Sequence, residues 1–159
     1  RSQRNLIVHA SDLPRGRGMS PLTWQVLEGH NRIPLCLLEA ADEVDSGAII
    51  YRDVLDFSGH ELIDEMHRAV AELSIALCQR YLAEDVPPPG KVQQGEATYW
   101  PRRGPEHSVI DAQASIAEQF DKFRVVDNER YPAFFDWQGH RYRLRIDKLA
   151  KDGDAGEEE

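Results

Sequence analysis

Asn5-Leu6-Ile7-Val8-His9 runs into Ala10-Ser11-Asp12-Leu13-Pro14-Arg15-Gly16-Arg17-Gly18, and the reading of this junction decides the fold. Leu6, Ile7 and Val8 are three apolar residues in a row, the pattern of a buried strand. Pro14, Gly16 and Gly18 punctuate the stretch that follows, which is expected to hold no regular structure. His9 therefore stands where a strand opens into a loop, the place where α/β folds put their chemistry. Ser20 then predicts a helix cap, with Pro21 at the first helical position and Gly29 just past the end.

Downstream, the apolar runs Leu35 to Leu38 and Ala48 to Val54 predict two more strands, with a polar loop from Glu39 to Gly47 between them. Ser58 and Glu61 form a capping box for a long helix. Leu62, Met66, Ala69, Val70, Leu73 and Leu77 continue it at helical spacing to about Ala83. Pro87-Pro88-Pro89-Gly90 reads as a stiff linker. Beyond it, Ser115 and Glu118 predict a second capped helix carrying Ile116, Phe120 and Phe123. Ala133 to Trp137 and Arg141 to Ile146 predict a hairpin around Gln138-Gly139. The chain divides as 1–86, a linker over 87–98, a small unit over 99–150 and an acidic tail over 151–159 that is expected to be disordered.

The chain has 159 residues, 41% hydrophobic and 30% charged, with a formal net charge of −9. That composition is of an ordinary globular protein. No apolar run approaches the roughly 20 residues of a membrane-spanning helix, so no membrane partner is expected. Arg1-Ser2-Gln3-Arg4 has no signal-peptide pattern and the first residue is not Met, so the start is expected to be cut or unobserved. The acidic balance argues against nucleic acid as a main partner. Cys36 and Cys78 each sit in an apolar run, as free thiols of a reducing cytoplasm would.

Without any comparison, His9 and Asp45 form a candidate base–orienter pair. Each sits in a loop beside a strand, and a carboxylate can hold one imidazole nitrogen while the other takes a proton. Arg15 and Arg17 flank Gly16 and offer either a solvated basic loop or a clamp for a substrate diphosphate. Trp100, Arg102 and Arg103 could stack a nucleotide base and hold its phosphates, or form an exposed interdomain seam. His30, His60, His67, His107 and His140 show no metal-type spacing, so no metal is expected.

Order and spacing add to this. His9-x-Ser11-x-Leu13-Pro14 followed by Arg17-Gly18 resembles the H-x-S-L-L-P-x-x-x-G signature of the folate-dependent formyltransferases. Asp45 follows His9 by 36 positions, the spacing of that family's catalytic aspartate. Asp45-Ser46-Gly47-Ala48-Ile49 is similar to its D-[AST]-G-x-I run. Glu96-Ala97-Thr98, then Arg102-Arg103-Gly104-Pro105-Glu106-His107-Ser108-Val109-Ile110-Asp111, is similar to its E-A-T…R-x-P-E-D-S-x-I-D segment. The resemblance implies the C-terminal half of a Rossmann-like α/β formyltransferase domain over 1–86, followed by a small α+β subdomain of helix and β-hairpin.

It also implies a mechanism. His9 would take the proton of an amine attacking the formyl carbon of 10-formyltetrahydrofolate, the cosubstrate. Asp45 would orient His9, and backbone around Glu43-Val44-Asp45 would contact the pterin ring. The family carries an asparagine two residues before the histidine to hold the formyl oxygen, and here that position is Ile7. Asn5 lies on the same strand face but about 13 Å from His9 at roughly 3.3 Å per residue, so it is no simple substitute. Either another donor serves, or a bulge changes the register, or the activity is altered. Members also carry a front half that precedes this point.

The short, acidic C-terminal portion fits a sugar N-formyltransferase, whose acceptor is the amino group of a nucleotide-linked amino sugar. Asn128-Glu129-Arg130-Tyr131-Pro132-Ala133-Phe134-Phe135 resembles the ending of such enzymes. Methionyl-tRNA formyltransferase, with a large basic C-terminal domain, and a non-catalytic formyltransferase-like domain are the alternatives, and a homodimer is left open.

Overall fold

A computed structural model of the chain describes residues 4–149. The expected acidic tail, 151–159, lies outside the described residues. The main sheet has three strands in the order β1 (Leu6–His9), β3 (Arg32–Glu39) and β4 (Ile49–Asp56). Both pairings are antiparallel, with Ile7 opposite Leu38, His9 opposite Cys36, and Leu37 opposite Tyr51. β3 is central, and its unbroken Leu-Cys-Leu-Leu run is explained by cover on both faces. Leu35 and Leu37 point with Ile33 into a cluster with Val26, Met66 and Leu77. Cys36 and Leu38 point the other way, against Leu13 and Ile49. The two-residue side-chain period of a strand thus sends alternate residues into two cores.

The first core is closed by α1 (Pro21–Leu27) and α2 (Ile63–Ala83). Ser20 adopts φ 55° and makes no capping hydrogen bond with its side chain, so Pro21 alone carries the expected start signal. The long helix also begins later than its capping box suggests. The Glu61 carboxylate does accept the Ser58 N–H at 2.8 Å, together with those of Gly59 and His60. That closes a tight loop, and the helix starts at Ile63, where Glu65 accepts the Leu62 N–H at 2.7 Å. Two acidic residues in its first turn and Arg80 in its last suit the helix dipole.

The loop after His9 is more ordered than its Pro and Gly content suggests. Arg17 and Gly18 form β2, paired in parallel with β5 (Tyr99–Trp100). The Arg17 N–H donates to the Thr98 carbonyl at 2.9 Å and the Met19 N–H to the Trp100 carbonyl at 3.2 Å. The expected linker is not a free spacer either: Lys91 and Ile49 exchange two backbone hydrogen bonds of 2.8 Å.

In the C-terminal unit, the Ser115–Glu118 capping box forms in both directions, at 2.9 and 3.2 Å. It opens only a 3₁₀ turn (Ala117–Gln119) and a five-residue α3 (Phe120–Arg124). The hairpin is β6 (Ala133–Trp137) and β7 (His140–Leu144). Gln138 and Gly139 carry φ 49° and 81°, the left-handed pair of a tight two-residue turn. Ile110, Phe123, Val126 and Ala133 form its core. Arg124, only 1% exposed, fixes this unit to the sheet side. Its guanidinium donates to Asn31 at 2.7 Å, to Asp121 at 2.9 Å and to the Glu61 carbonyl at 3.2 Å. Among the described residues no helix is long and apolar enough to cross a membrane.

Candidate active site

His9 is the last residue of β1 and 6% exposed. Asp45 sits in the loop between β3 and β4 with φ 52°, a left-handed conformation unusual without glycine. The bend carries its carboxylate back across the end of β1, where Oδ2 lies 3.4 Å from His9 Nδ1. The same oxygen accepts the Gly18 N–H at 2.9 Å. On the other side of the ring, Nε2 lies 2.8 Å from the Gly16 carbonyl. Three chain segments therefore meet at one imidazole: the end of β1, the loop to β2, and the loop before β4.

Two glycines make the approach possible. A Cβ on Gly16 would fall 2.1 Å from the Trp100 ring, and one on Gly47 would fall 1.7 Å from the Glu39 carbonyl oxygen. Gly16 therefore lets the indole cover the loop, and Gly47 lets the Asp45 loop turn tightly into β4. The Trp100 N–H donates to Glu28 at 3.2 Å, so this ring packs over Gly16 and is tied to α1's end.

The remaining sequence-selected residues separate into two groups. Glu43 and Val44 are exposed on the turn that Ser46 closes by donating its hydroxyl to the Glu43 carbonyl at 2.9 Å. Arg15 and Arg102 are also exposed, and neither side chain has a hydrogen-bond partner among the described residues. Arg17 is not free: its Nη2 donates to Gln93 at 2.8 Å and its Nη1 to the Tyr99 hydroxyl at 3.1 Å. Arg103 is 4% exposed, donates to the Val125 carbonyl at 2.6 Å and to Ser108 at 3.0 Å, and lies 5.1 Å from the Tyr131 ring. Burial pushes its guanidinium below the usual arginine range, opposed by Tyr131 and Asp127. The diphosphate-clamp expectation thus loses Arg17, and both terminal nitrogens of Arg103 are taken by protein groups, while its Nε has no partner among the described residues.

Sequence reading passed over Gln93 and Thr98, which brace the site. Gln93 donates to the carbonyls of Asp45 and Gly47 at 2.6 and 2.9 Å, and Thr98 accepts the Gly16 N–H at 2.9 Å. Thr98 lay within a quoted motif, but a hydroxyl's partner some 80 positions away leaves no local signal. A cavity of about 390 Å³ opens beside His9, walled also by Ser20, Thr23, His67, Arg103 and Tyr131. Among the described residues, no group of three or more His, Cys, Asp or Glu side chains is placed to hold a metal ion.

No protein-family profile matches the chain. Methionyl-tRNA formyltransferase from Streptococcus suis is 26% identical over 145 residues, which cover 87% of this chain and 45% of the relative. The chain thus spans about half the length of the curated relatives it matches. The structure of methionyl-tRNA formyltransferase from Clostridium thermocellum superposes with a TM-score of 0.77 at 26% identity, over 95% of this chain and 66% of that one. At 16% identity, a likely sugar N-formyltransferase from Mycobacterium tuberculosis shares the fold, with a TM-score of 0.75 over 94% and 67%. So does HypX from Aquifex aeolicus, solved with tetrahydrofolic acid, at 20% identity with a TM-score of 0.67 over 87% and 24%. In sequence and in fold, the chain is a relative of the formyltransferases, matching part of their length.

Proposed function

We propose that the protein containing this chain transfers a formyl group from 10-formyltetrahydrofolate to a primary amine, with His9 as general base and Asp45 as its partner. The observation that carries the reading is the 3.4 Å approach of Asp45 Oδ2 to His9 Nδ1 at the end of β1. The amine attacks the formyl carbon and loses a proton to His9, and negative charge grows on the formyl oxygen. The proton then passes toward the folate nitrogen as the C–N bond breaks. Glu43 and Val44, exposed beside the pair, and the half-buried Asp45 backbone are the proposed pterin contacts.

The acceptor we assign is the amino group of a nucleotide-linked amino sugar, processed in the cytoplasm. The fold shared with a likely sugar N-formyltransferase supports it. A second reading, methionyl-tRNA as acceptor, is favoured by the identity of the curated relatives. The test is tetrahydrofolate release from 10-formyltetrahydrofolate with nucleotide-linked amino sugars in one arm and methionyl-tRNA in the other. Turnover in the first arm supports the sugar assignment, and turnover only in the second replaces it. No release in either removes the formyltransferase reading.

A further inference from the structure

Residues 91–98 run along the edge of β4 and on over the loops that meet His9. Lys91 anchors the segment to Ile49. Two residues on, the Gln93 side chain uses every hydrogen-bonding position that a primary amide has. Its NH₂ donates to the carbonyls of Asp45 and Gly47, at 2.6 and 2.9 Å. Its oxygen accepts from Arg17 Nη2 and Nε, at 2.8 and 3.3 Å. The orientation of the amide follows from these neighbours, because the reverse one would set an oxygen against two carbonyls and an NH₂ against a guanidinium. Farther along, Thr98 Oγ1 accepts the N–H of Gly16, whose carbonyl faces His9 Nε2.

The segment therefore grips both groups that address the imidazole. Gln93 holds the backbone on which the Asp45 carboxylate is mounted, in a left-handed conformation that needs outside support in a residue with a Cβ. Thr98 holds the Gly16 peptide. Arg17, fixed by the same amide, keeps β2 against β5.

We infer that Gln93 is a positioning residue for the His9–Asp45 pair, with Thr98 as its lesser partner on the Gly16 side. The inference rests on the proposed role of that pair. Gln93 meets neither reacting group; it sets where the Asp45 carboxylate stands.

Gln93→Glu tests this, because it separates the two halves of the amide. The carboxylate keeps its size and its acceptor for Arg17, so a purely structural tie to Arg17 persists or strengthens. Both donors to Asp45 and Gly47 are lost. The expected result is a kcat lower by about 10- to 100-fold, the cost of a misplacement near 1 Å. KM for the amine acceptor should stay within about 2-fold, since Gln93 touches no acceptor group. Melting temperature should fall only modestly, the stronger pair with Arg17 offsetting part of the two lost donors, and the ¹⁵N shifts of the His9 ring should move. Thr98→Val should give a smaller kcat loss of the same kind, and it decides the matter if Gln93→Glu fails to fold. Unchanged kcat overturns the inference, and so does a raised KM with normal kcat, which would mark Gln93 as a substrate contact. If the wild-type protein formylates no acceptor, the proposed function falls. The His9 ring shifts then judge the positioning role alone, and shifts unchanged in Gln93→Glu overturn it.

Discussion

Gly47→Ala should disable the site through a clash of known size. A Cβ at Gly47 would stand 1.7 Å from the Glu39 carbonyl oxygen, where real contacts stay above 3.0 Å, so the two backbones must part by at least 1.3 Å. Neither partner is a flexible side chain that could swing aside. The movement falls on the bond from the Glu39 N–H to the Ala48 carbonyl, 2.9 Å long, and on the bond from Gln93 to the Gly47 carbonyl, also 2.9 Å. Two hydrogen bonds at about 1 kcal/mol each, with residual strain, put the stability loss near 2–3 kcal/mol. Asp45 lies two residues upstream, so its carboxylate moves by a comparable distance from His9. A displacement of about 1 Å costs turnover on the order of 100-fold. Thermal unfolding and tetrahydrofolate release measured on the same preparation check both numbers. Gly29→Ala is the control, since its Cβ meets nothing within 4 Å. At φ 83° it carries local strain outside the loops that meet His9, and turnover should be normal. Wild-type turnover in Gly47→Ala would refute the claim that the tight turn after Asp45 sets the catalytic geometry.

Other outcomes follow from the same structure. His9→Ala should lower turnover about 100- to 10,000-fold with little change in substrate affinity, and near-normal turnover would remove this histidine from the mechanism. Ile7→Asn restores a side-chain donor on the strand face of His9 and should raise turnover or leave it unchanged; a fall in turnover at unchanged stability would refute a missing formyl-oxygen donor. Burial alone would raise the Glu61 carboxyl, but the N–H groups of Ser58, Glu61 itself and Gly59 outweigh it and hold the group down to about 2. A depressed carboxyl contributes stability that is present above its unfolded value and lost as the pH falls through the folded one. The shift from 4.5 to about 2 corresponds to about 3 kcal/mol. Glu61→Gln should therefore cost up to that amount at neutral pH and flatten acid unfolding between about pH 4.5 and 2, and an unchanged acid limb in urea titrations would refute this account.

Sequence alone reached the parts of this molecule that rest on local pattern. The Leu35–Leu38 run found the central strand because cover on both faces demands unbroken apolarity. The heptad-like stripe from Met66 to Leu77 found α2, and Gln138-Gly139 found the hairpin turn. What escaped is non-local. Arg17 looked like a free cation because the amide and phenol that bind it lie 76 and 82 residues away. Arg103 was expected to hold a substrate phosphate or lie in an exposed seam, yet is 4% exposed. The proline-rich stretch looked like a spacer because the edge of β4 that it pairs with is invisible from composition. The Ser58–Glu61 signal was real as chemistry but placed the helix start too early, because a side chain that caps a loop looks the same in sequence as one that caps a helix.

The arrangement around His9 bears directly on the role of Asp45. Both ring nitrogens face acceptors, the Gly16 carbonyl at Nε2 and the Asp45 carboxylate at Nδ1. A neutral imidazole has one N–H and one lone pair, so either tautomer turns a lone pair toward an oxygen. Only the ring carrying both protons satisfies both neighbours. The surroundings are therefore complementary to the imidazolium that a general base becomes, the form that matters as the amine gives up its proton. Asp45→Asn removes the charge and can present an NH₂ to Nδ1, which fixes the proton on Nε2 against the Gly16 carbonyl and no longer steadies a ring that carries both protons. Turnover should fall by about 100-fold or more, with the fold intact and substrate affinity little changed. Because Asp45 acts only through the ring, His9→Ala/Asp45→Asn should be no slower than His9→Ala alone. Steady-state rates of the three variants decide it, and two independent, fully additive losses would break the pair.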